Sequence, residues 1–458
     1  MARIEALHQV LAQETIKLVA FRFSIGSVEY GWKPEDPGFV EVVTLANRPP
    51  SNALEAFAIA ALCARELRER NVDAVFLPSF SPTPNLFCFL AAKAVGCGTI
   101  LMTDSWHGTE RSSLLRKLLK HIFVRMFDSA LVAGSPQSAY VTSYGMSPKQ
   151  VFTGYDVVDI AHFATKADEA LQQSGKLLLV GCDESSPSGE ALQPQGELAL
   201  IRSLPERYFL NLGRFVKKKN LSALVVAYAR FVQMHAERLR AENRTSIPQV
   251  LDASNSKHQH RCEDTSSARK AADPKPVRRN HLPANISHSL PTALVLVGEG
   301  PLREDLERQS RQLGLVVRNG LADPIPSCGA EVVFYPFQQV EMSPTFFAKC
   351  EAFILPSSYE EWGLVVNEAM ACGAPVLVSN CVGCHFDLVQ EGVNGFTFNP
   401  FDPVELAKLL NRFSVDPELS SRLGAASRKL IQEWSPSRFA DAGLASIHAA
   451  LAKKLSRL

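Results

Sequence analysis

The chain has 458 residues, 46% of them hydrophobic, and its 48 Lys plus Arg nearly balance its 47 Asp plus Glu. These values predict two soluble globular domains, and the balanced charge excludes a general attraction to nucleic acid or to an anionic membrane across the whole surface. The opening Met-Ala-Arg-Ile-Glu is not typical of a secretory signal. The longest apolar stretch, 86–102, is interrupted by Lys93 and is shorter than the roughly 20 residues that span a bilayer. We expect a cytoplasmic protein without a transmembrane helix.

Helices and strands alternate through the first part of the chain. The apolar patterns predict, in order, a helix (3–13), a strand (16–23), a helix (51–70), a strand (74–77), a helix (86–95), a strand (99–102), a helix (112–127) and a strand (130–133). Such alternation predicts a parallel sheet covered by helices on both faces. We expect this N-terminal domain to span residues 1–164. Residues 165–198 gain Ser, Gly, Gln and Pro and are predicted to be a linker or insertion.

A second alternation predicts a C-terminal domain over residues 199–432. Its strands are expected at 208–212, 293–297, 332–335, 352–355 and 376–378, with helices at 221–234, 343–350, 364–372, 403–413 and 418–433. Residues 243–291 are rich in Ser, His, Arg, Lys and Pro, and we interpret them as a disordered insertion. The apolar pattern of residues 433–458 predicts a final amphipathic helix.

A basic loop, Gly213-Arg-Phe-Val-Lys-Lys-Lys-Asn220, follows the first strand of the second domain. Ligands of doubly wound sheets bind at the carboxyl ends of strands, so this position indicates an anion site. Arg214 offers a planar fork for phosphate oxygens, and one of the three lysines at 217–219 adds a point charge. The alternative is a solvated basic loop. Gly298 and Gly300 predict a tight turn after the next strand, which explains them better than close approach of a nucleotide.

Two carboxylates with seven residues between them, Glu360 and Glu368, carry the sharpest signal. Glu360 falls on the loop after a predicted strand, and Glu368 falls inside the following helix, so both can face one pocket. The start of that helix favours anionic oxygens. Carboxylates that accept from hydroxyls, beside an anion site, suit a nucleotide sugar; the alternative is two solvated glutamates. The backbone N–H groups expected at the helix start are those of Trp362, Gly363 and Leu364.

These segments resemble the family-four retaining glycosyltransferases. The stretch from Pro356 to Gly373 is similar to their E-x7-E signature, and the basic loop is similar to their G-R-x-x-x-x-K-[GN] element. Weaker similarity is found at Asp387-Leu-Val, Gly392-Val-Asn-Gly-Phe396 and Gly154-Tyr-Asp-Val-Val-Asp159. The resemblance implies an α/β protein of the GT-B fold, with two doubly wound Rossmann-like domains facing a cleft. The first domain would contribute acceptor contacts and the second would bind the donor.

The resemblance also implies roles for particular residues. Arg214 and Lys219, beside Gly213, would neutralise the donor diphosphate, Glu368 would hold the ribose hydroxyls and Glu360 the transferred sugar. The nucleobase would lie near Phe337. No Asp-x-Asp triplet occurs in the chain, in agreement with a metal-independent, retaining transfer that needs no cofactor.

In the N-terminal domain, candidate site residues are identified only by their position after a predicted strand. His107, with Asp104, follows the predicted strand 99–102 and could contact donor or acceptor, although an ordinary loop histidine is equally consistent. The helix at 112–127 combines leucines with Arg, Lys and His. This pattern is compatible with a lipid surface, although we favour an ordinary surface helix of the sheet layer.

The start of the chain leaves alternatives open. Family members begin with a strand and a glycine-rich loop, whereas Met1 opens into what resembles the following helix, so we expect the first strand of the sheet to be missing. A catalytically silent nucleotide-sugar-binding protein is one alternative. A phosphorylase with pyridoxal phosphate on a lysine and a sugar-nucleotide epimerase are others. The acceptor (polysaccharide, lipid, protein or small molecule) is not identified by the sequence.

Overall fold

A computed structural model describes residues 2–22, 38–46, 48, 50–78, 83–110, 113–180, 196–245, 292–323 and 330–456. The insertion predicted at 243–291 lies outside the described residues from 246 onward, and so do residues 181–195 of the predicted linker. Among the described residues, no helix is long and apolar enough to cross a membrane.

The N-terminal part forms two parallel sheets. Strands β3, β4, β5 and β6 pair in that order, and β1 pairs with β2 in a separate sheet. The sequence patterns missed β2, which has only four residues and no buried side chain. The elements are α1 (Ala2–Gln13), β1 (Val19–Arg22), β2 (Glu41–Thr44), α2 (Ala53–Glu69), β3 (Ala74–Pro78), α3 (Thr83–Val95), β4 (Gly98–Thr103), α4 (Leu114–Met126), β5 (Ser129–Val132), α5 (Ser135–Ser143) and β6 (Val151–Thr153).

A cleft of about 750 Å³ separates the two sheets. It is lined by β1 and β3, and by apolar side chains that include Leu67 and Leu451. Among the described strands, β1 pairs only with β2 and β3 pairs only with β4. The facing edges of β1 and β3 therefore have no described strand between them.

The C-terminal part is one seven-stranded parallel sheet in the order β13-β12-β11-β7-β8-β10-β9. Helices cover both faces over two large apolar clusters. The elements are α6 (Ile160–Val180), α7 (Glu197–Ser203), β7 (Tyr208–Leu212), α8 (Leu221–Thr245), β8 (Ala293–Val297), α9 (Arg303–Gln312), β9 (Val316–Asn319), β10 (Glu331–Tyr335), α10 (Ser343–Lys349), β11 (Ala352–Leu355), α11 (Val365–Ala371), β12 (Val376–Ser379), α12 (His385–Leu388), β13 (Gly395–Phe398), α13 (Pro403–Val415), α14 (Leu419–Leu430) and α15 (Pro436–Leu455).

The linker predicted at 165–198 is wrong for its first half. Residues 160–180 form α6, which packs against α10 and α11. Phe163, Ala167 and Ala170 recur at helical spacing and are buried. Composition alone suggested a linker because polar residues fill the solvent side of this helix. Residues 197–203 likewise form helix α7.

The final helix, α15, returns to the N-terminal domain. It packs on α1 and on strands β4, β5 and β6. The Ser129 hydroxyl donates to the carbonyl of Ser446 over 2.7 Å. Gly98 lies so close to α15 that a Cβ atom added to Gly98 would be 3.3 Å from the Cβ atom of Ala450. The helix predicted at 433–458 thus ties the two halves of the chain together.

Candidate functional site

The carboxyl ends of β7 and β11, which pair directly, bring the basic loop beside the loop that carries Glu360. The Ser358 N–H donates to the carbonyl of Lys218 over 2.8 Å. Asn220, in a left-handed conformation at φ 53°, donates to the carbonyl of Pro356 over 3.2 Å and to that of Pro400 over 2.8 Å. These bonds fix the two loops relative to each other.

Glu360 is buried, with 6% of its surface exposed, and its carboxylate is surrounded by donors. The Lys219 ammonium lies 2.5 Å from Oε1 and the Lys218 ammonium 3.1 Å from Oε2. The Ser357 hydroxyl donates to Oε1 over 3.2 Å. Burial alone would raise the pKa of Glu360, but the two ammonium groups outweigh it and lower the pKa. The residue is therefore an anion held by two cations.

Lys218 is a site residue that the sequence did not single out from its neighbours. Besides Glu360, it lies 3.8 Å from Glu361 and over the ring of Tyr359 at 5.7 Å. Burial opposes its charge, but the carboxylates of Glu360 and Glu361 raise its pKa. Three consecutive lysines give no signal as to which of them points inward.

The glycines of the neighbouring turns have a packing role. A side-chain carbon on Gly298 would lie 2.1 Å from the carbonyl oxygen of Gly213, and one on Gly300 would lie 2.6 Å from that of Phe215. These positions let the loops after β7 and β8 touch, as the turn interpretation predicts. Arg214 is exposed directly after Gly213, at the edge that faces the other domain's loops.

Glu368 lies in the first turn of α11. Desolvation raises the pKa of its carboxyl to about 7, although the residue as a whole is partly exposed. Among the described residues, no side chain forms a hydrogen bond or an ion pair with this carboxyl. Hydroxyl donors from a ligand would stabilise its charged form.

The start of α11 is held by an indole. Trp362 is 2% exposed, packs against the tilted ring of Trp434 at 4.9 Å and donates from Nε1 to Asn367 Oδ1 over 2.9 Å. Its side chain is therefore structural. The backbone N–H groups of Gly363 and Leu364 just precede α11, which begins at Val365.

The N-terminal domain closes directly on the Glu360 loop. Trp106 Nε1 donates to the carbonyl of Glu360 over 2.9 Å, and Gln137 Nε2 donates to that of Glu361 over 2.8 Å. His107, one residue after Trp106, is exposed and its ring packs edge-on against Tyr140 at 5.0 Å. No contact in the described structure joins His107 to Glu360, so its role stays a prediction.

Two carboxyls of the N-terminal domain face the same region. Burial raises the pKa of Asp104, and the charge of Glu361 adds to the effect. Burial, with the charge of Asp104, raises the pKa of Asp156 to about 7. Asp156 is 8% exposed and its Oδ2 has no hydrogen-bond partner. No sequence pattern singles out this buried carboxyl, since only the fold brings Asp156 near Asp104.

Two further predictions concern the nucleobase and metals. Phe337 follows β10 with 42% of its surface exposed, and its role at the nucleobase stays a prediction. Within the described residues, no group of three or more His, Cys, Asp and Glu side chains is arranged to hold a metal ion.

Comparison with solved structures defines the class of fold. A glycosyltransferase from Rickettsia africae ESF-5 aligns with a TM-score of 0.60 at 13% identity over 98% of this chain and 94% of that one. Sucrose-phosphate synthase from Thermosynechococcus elongatus aligns with a TM-score of 0.59 at 16% identity, over 95% of this chain and 90% of that one. Anabaena Alr3699/HepE in complex with UDP aligns with a TM-score of 0.54 at 17% identity, over 92% of this chain and 87% of that one. The chain has the GT-B fold, with two Rossmann-like domains facing a cleft, as predicted.

The C-terminal domain also resembles a protein family in sequence. Residues 285–430 match the model of Glycosyl transferases group 1. The chain is 33% identical over 129 residues to alpha-D-kanosaminyltransferase of Streptomyces kanamyceticus, covering 28% of this chain and 30% of that protein. It is 30% identical over 154 residues to sulfoquinovosyl transferase SQD2 of Arabidopsis thaliana, and the aligned stretch covers 33% of this chain and 27% of that protein. The matched stretches span under a third of these relatives' lengths.

Proposed function

We propose that this protein transfers a sugar from a nucleoside diphosphate sugar to a hydroxyl acceptor, with retention of configuration and without a metal ion. The observation that carries the proposal is the buried Glu360 carboxylate, held by Lys218 and Lys219 at the carboxyl ends of β7 and β11. Anions and polyhydroxylated ligands both find complementary groups there. The family match over residues 285–430 and the glycosyltransferase names of the relatives support sugar transfer.

The donor would lie with its diphosphate against Arg214 and Lys219. Lys219 would then share its ammonium between the phosphate oxygens and Glu360, and Lys218 would help to stabilise the charge that develops on the leaving phosphate. Glu360 would accept hydroxyls of the transferred sugar and Glu368 those of the ribose. Phe337 would offer a face to the base. HepE structures contain UDP and UDP-glucose, which supports a nucleotide donor.

Transfer breaks the bond between the anomeric carbon and the β-phosphate oxygen and forms a bond from that carbon to the acceptor oxygen on the same face. The acceptor proton passes to the departing phosphate oxygen. The reaction would take place in the cytoplasm. We do not favour the silent nucleotide-sugar-binding protein, and the pairing of Lys218 and Lys219 with Glu360 supports this preference.

Calorimetric titration with UDP-, GDP- and ADP-sugars in EDTA tests the proposal. We expect one nucleotide to bind the wild type and to bind Arg214→Ala at least tenfold more weakly, because a charge-assisted contact to the diphosphate is lost. Arg230→Ala, which removes an exposed arginine of α8, is the matched control and should bind as the wild type does. Equal affinity of Arg214→Ala and Arg230→Ala would refute the donor site.

A further inference from the structure

Helix α4 exposes an apolar face to solvent. At 100° per residue, five of its apolar side chains cover an arc of about 140°. Their exposed fractions are 87% for Leu114, 68% for Leu115, 59% for Leu118, 44% for Leu119 and 50% for Ile122. We call these five residues the α4 face.

The opposite side of the helix fixes this orientation. Val124 is 4% exposed, and the Phe123 ring packs edge-on against Phe89 of α3 at 6.5 Å. Lys120 donates to Glu110 over 3.0 Å and to the Tyr140 hydroxyl over 2.8 Å. The helix is thus anchored to the domain by its own apolar and polar contacts. The α4 face has no described element against it, and its leucines point outward because the other side is already packed.

Cations border the α4 face. Lys117 lies along one side and Arg116 along the other, Arg125 lies within the same arc at the C-terminal end of the helix, and all three are exposed. Helices α3, α4 and α5 contain no acidic residue. The acids that flank α4 in sequence, Glu110 and Asp128, have only 6% and 2% of their side chains exposed. Glu110 pairs with Lys117 and Lys120, and Asp128 pairs with Lys93. The surface around the exposed leucines is therefore positive.

Neighbouring helices of the same layer extend the apolar surface. Helices α2, α3 and α4 share one apolar cluster on this side of the sheet. Leu54 and Phe57 of α2 are 78% and 61% exposed, and Leu90 of α3 is 41% exposed. Exposed apolar patches that extend over several elements mark interaction surfaces in soluble proteins.

We propose that the α4 face docks the N-terminal domain on an anionic lipid bilayer. Apolar side chains flanked by cations match the boundary between acyl chains and anionic headgroups, where leucines insert shallowly and Lys and Arg contact phosphates. The missing acidic residues of α3, α4 and α5 remove the repulsion that such a surface would otherwise meet. A neutral apolar partner would leave the flanking cations unused, so the charge pattern favours the bilayer.

The docking surface lies close to the candidate site in the chain. Helix α4 begins eight residues after Trp106, whose indole contacts the Glu360 loop. The inference concerns attachment and does not rest on the proposed transfer.

Co-sedimentation with vesicles of equal parts phosphatidylcholine and phosphatidylglycerol tests the proposal. We expect the wild type to pellet with these vesicles and to be released by high salt, because surface charges are screened. The double variant Leu115→Gln/Leu118→Gln should bind at least about tenfold more weakly, since two exposed side chains lose their apolar contact with lipid. Arg116→Gln/Lys117→Gln should lose binding to anionic vesicles specifically.

Leu455→Gln is the matched control, because Leu455 is 70% exposed at the end of α15, whose buried residues belong to a different apolar cluster from that of α4. It should sediment as the wild type does. All variants should keep the wild-type near-ultraviolet circular dichroism, because the substituted side chains are exposed. A wild type that stays in the supernatant, or equal pelleting of Leu115→Gln/Leu118→Gln and Leu455→Gln, would overturn the proposal. Donor titration of the leucine variant reports separately on the donor site.

Discussion

The ammonium of Lys219 lies 2.5 Å from Oε1 of Glu360, and the indole of Trp106 donates to the carbonyl of that same glutamate over 2.9 Å. One residue thus receives a cation from the C-terminal domain on its side chain and a hydrogen bond from the N-terminal domain on its backbone. The geometry of the cleft depends on both contacts.

The contribution of Glu360 to the free energy of unfolding should depend on pH. Its folded pKa is lowered below the unfolded value of 4.5, so its contribution is complete above that value and is lost as pH falls through the folded pKa. Glu360→Gln should therefore unfold with a free energy about 1–3 kcal/mol lower than the wild type at pH 7, because two lysines lose their counter-charge. In urea titrations this difference should shrink below pH 4.5. A difference independent of pH would contradict the ion-pair assignment.

Glu368 should show the opposite trend. Its folded pKa is raised to about 7, so the wild type loses stability as pH rises from about 4.5 to about 7. Glu368→Gln should be more stable than the wild type at pH 8 by about 1–3 kcal/mol, and equally stable below pH 4. The same variant should bind the donor more weakly if the carboxylate holds ribose hydroxyls. Thermal unfolding at the two pH values, with titration of the donor at pH 8, measures both effects.

The close contact between the two glycine loops can be tested by adding one carbon. Gly298→Ala should lower the free energy of unfolding by about 2–4 kcal/mol, because φ is 138° and the new carbon would meet the Gly213 carbonyl. Gly314→Ala is the matched control, with φ at 77° and no atom within 4 Å; it should cost only about 1–2 kcal/mol. Similar costs for the two variants would show that the loops can separate without penalty.

The hydrogen bond by which Trp106 links the two domains can be removed while an aromatic ring is kept at this position. Trp106→Phe keeps a ring against Phe386, which now lies 5.6 Å from the indole, but removes the hydrogen bond to the Glu360 carbonyl. The melting temperature should fall slightly, since one buried hydrogen bond is worth about 1 kcal/mol. If the bond positions the loop, donor affinity should also fall, which a purely structural role would not require.

The sequence predicted most of the C-terminal sheet because its strands are continuous apolar runs, such as 293–297, that a buried parallel sheet requires. It missed β2, β6 and β9, which have three or four residues each and few buried positions. It also missed β13, a buried strand of only four residues that begins at a glycine. Composition misled for α6, where the apolar spacing of Phe163, Ala167 and Ala170 was the better guide.

The sequence predicted which loops carry the candidate site residues, but it did not predict which of their side chains contact each other. Glu360 could be placed because it follows a predicted strand, whereas Lys219 was named only through the resemblance to the G-R-x-x-x-x-K-[GN] element. The pairing of Lys218 with Glu360, and the approach of Asp156 to Asp104, depend on strand order and domain contact. A single sequence does not specify those relationships.

The most direct test of the account is release of nucleoside diphosphate from the nucleotide sugar that binds, followed in EDTA for the wild type and Glu360→Gln. We predict release by the wild type, as slow hydrolysis alone and faster with an acceptor, and a loss of about 10²–10³-fold in Glu360→Gln, because an electrostatic contact to the reacting sugar is removed. A wild type that binds donor but releases no more diphosphate than buffer, or an equally active Glu360→Gln, would contradict it.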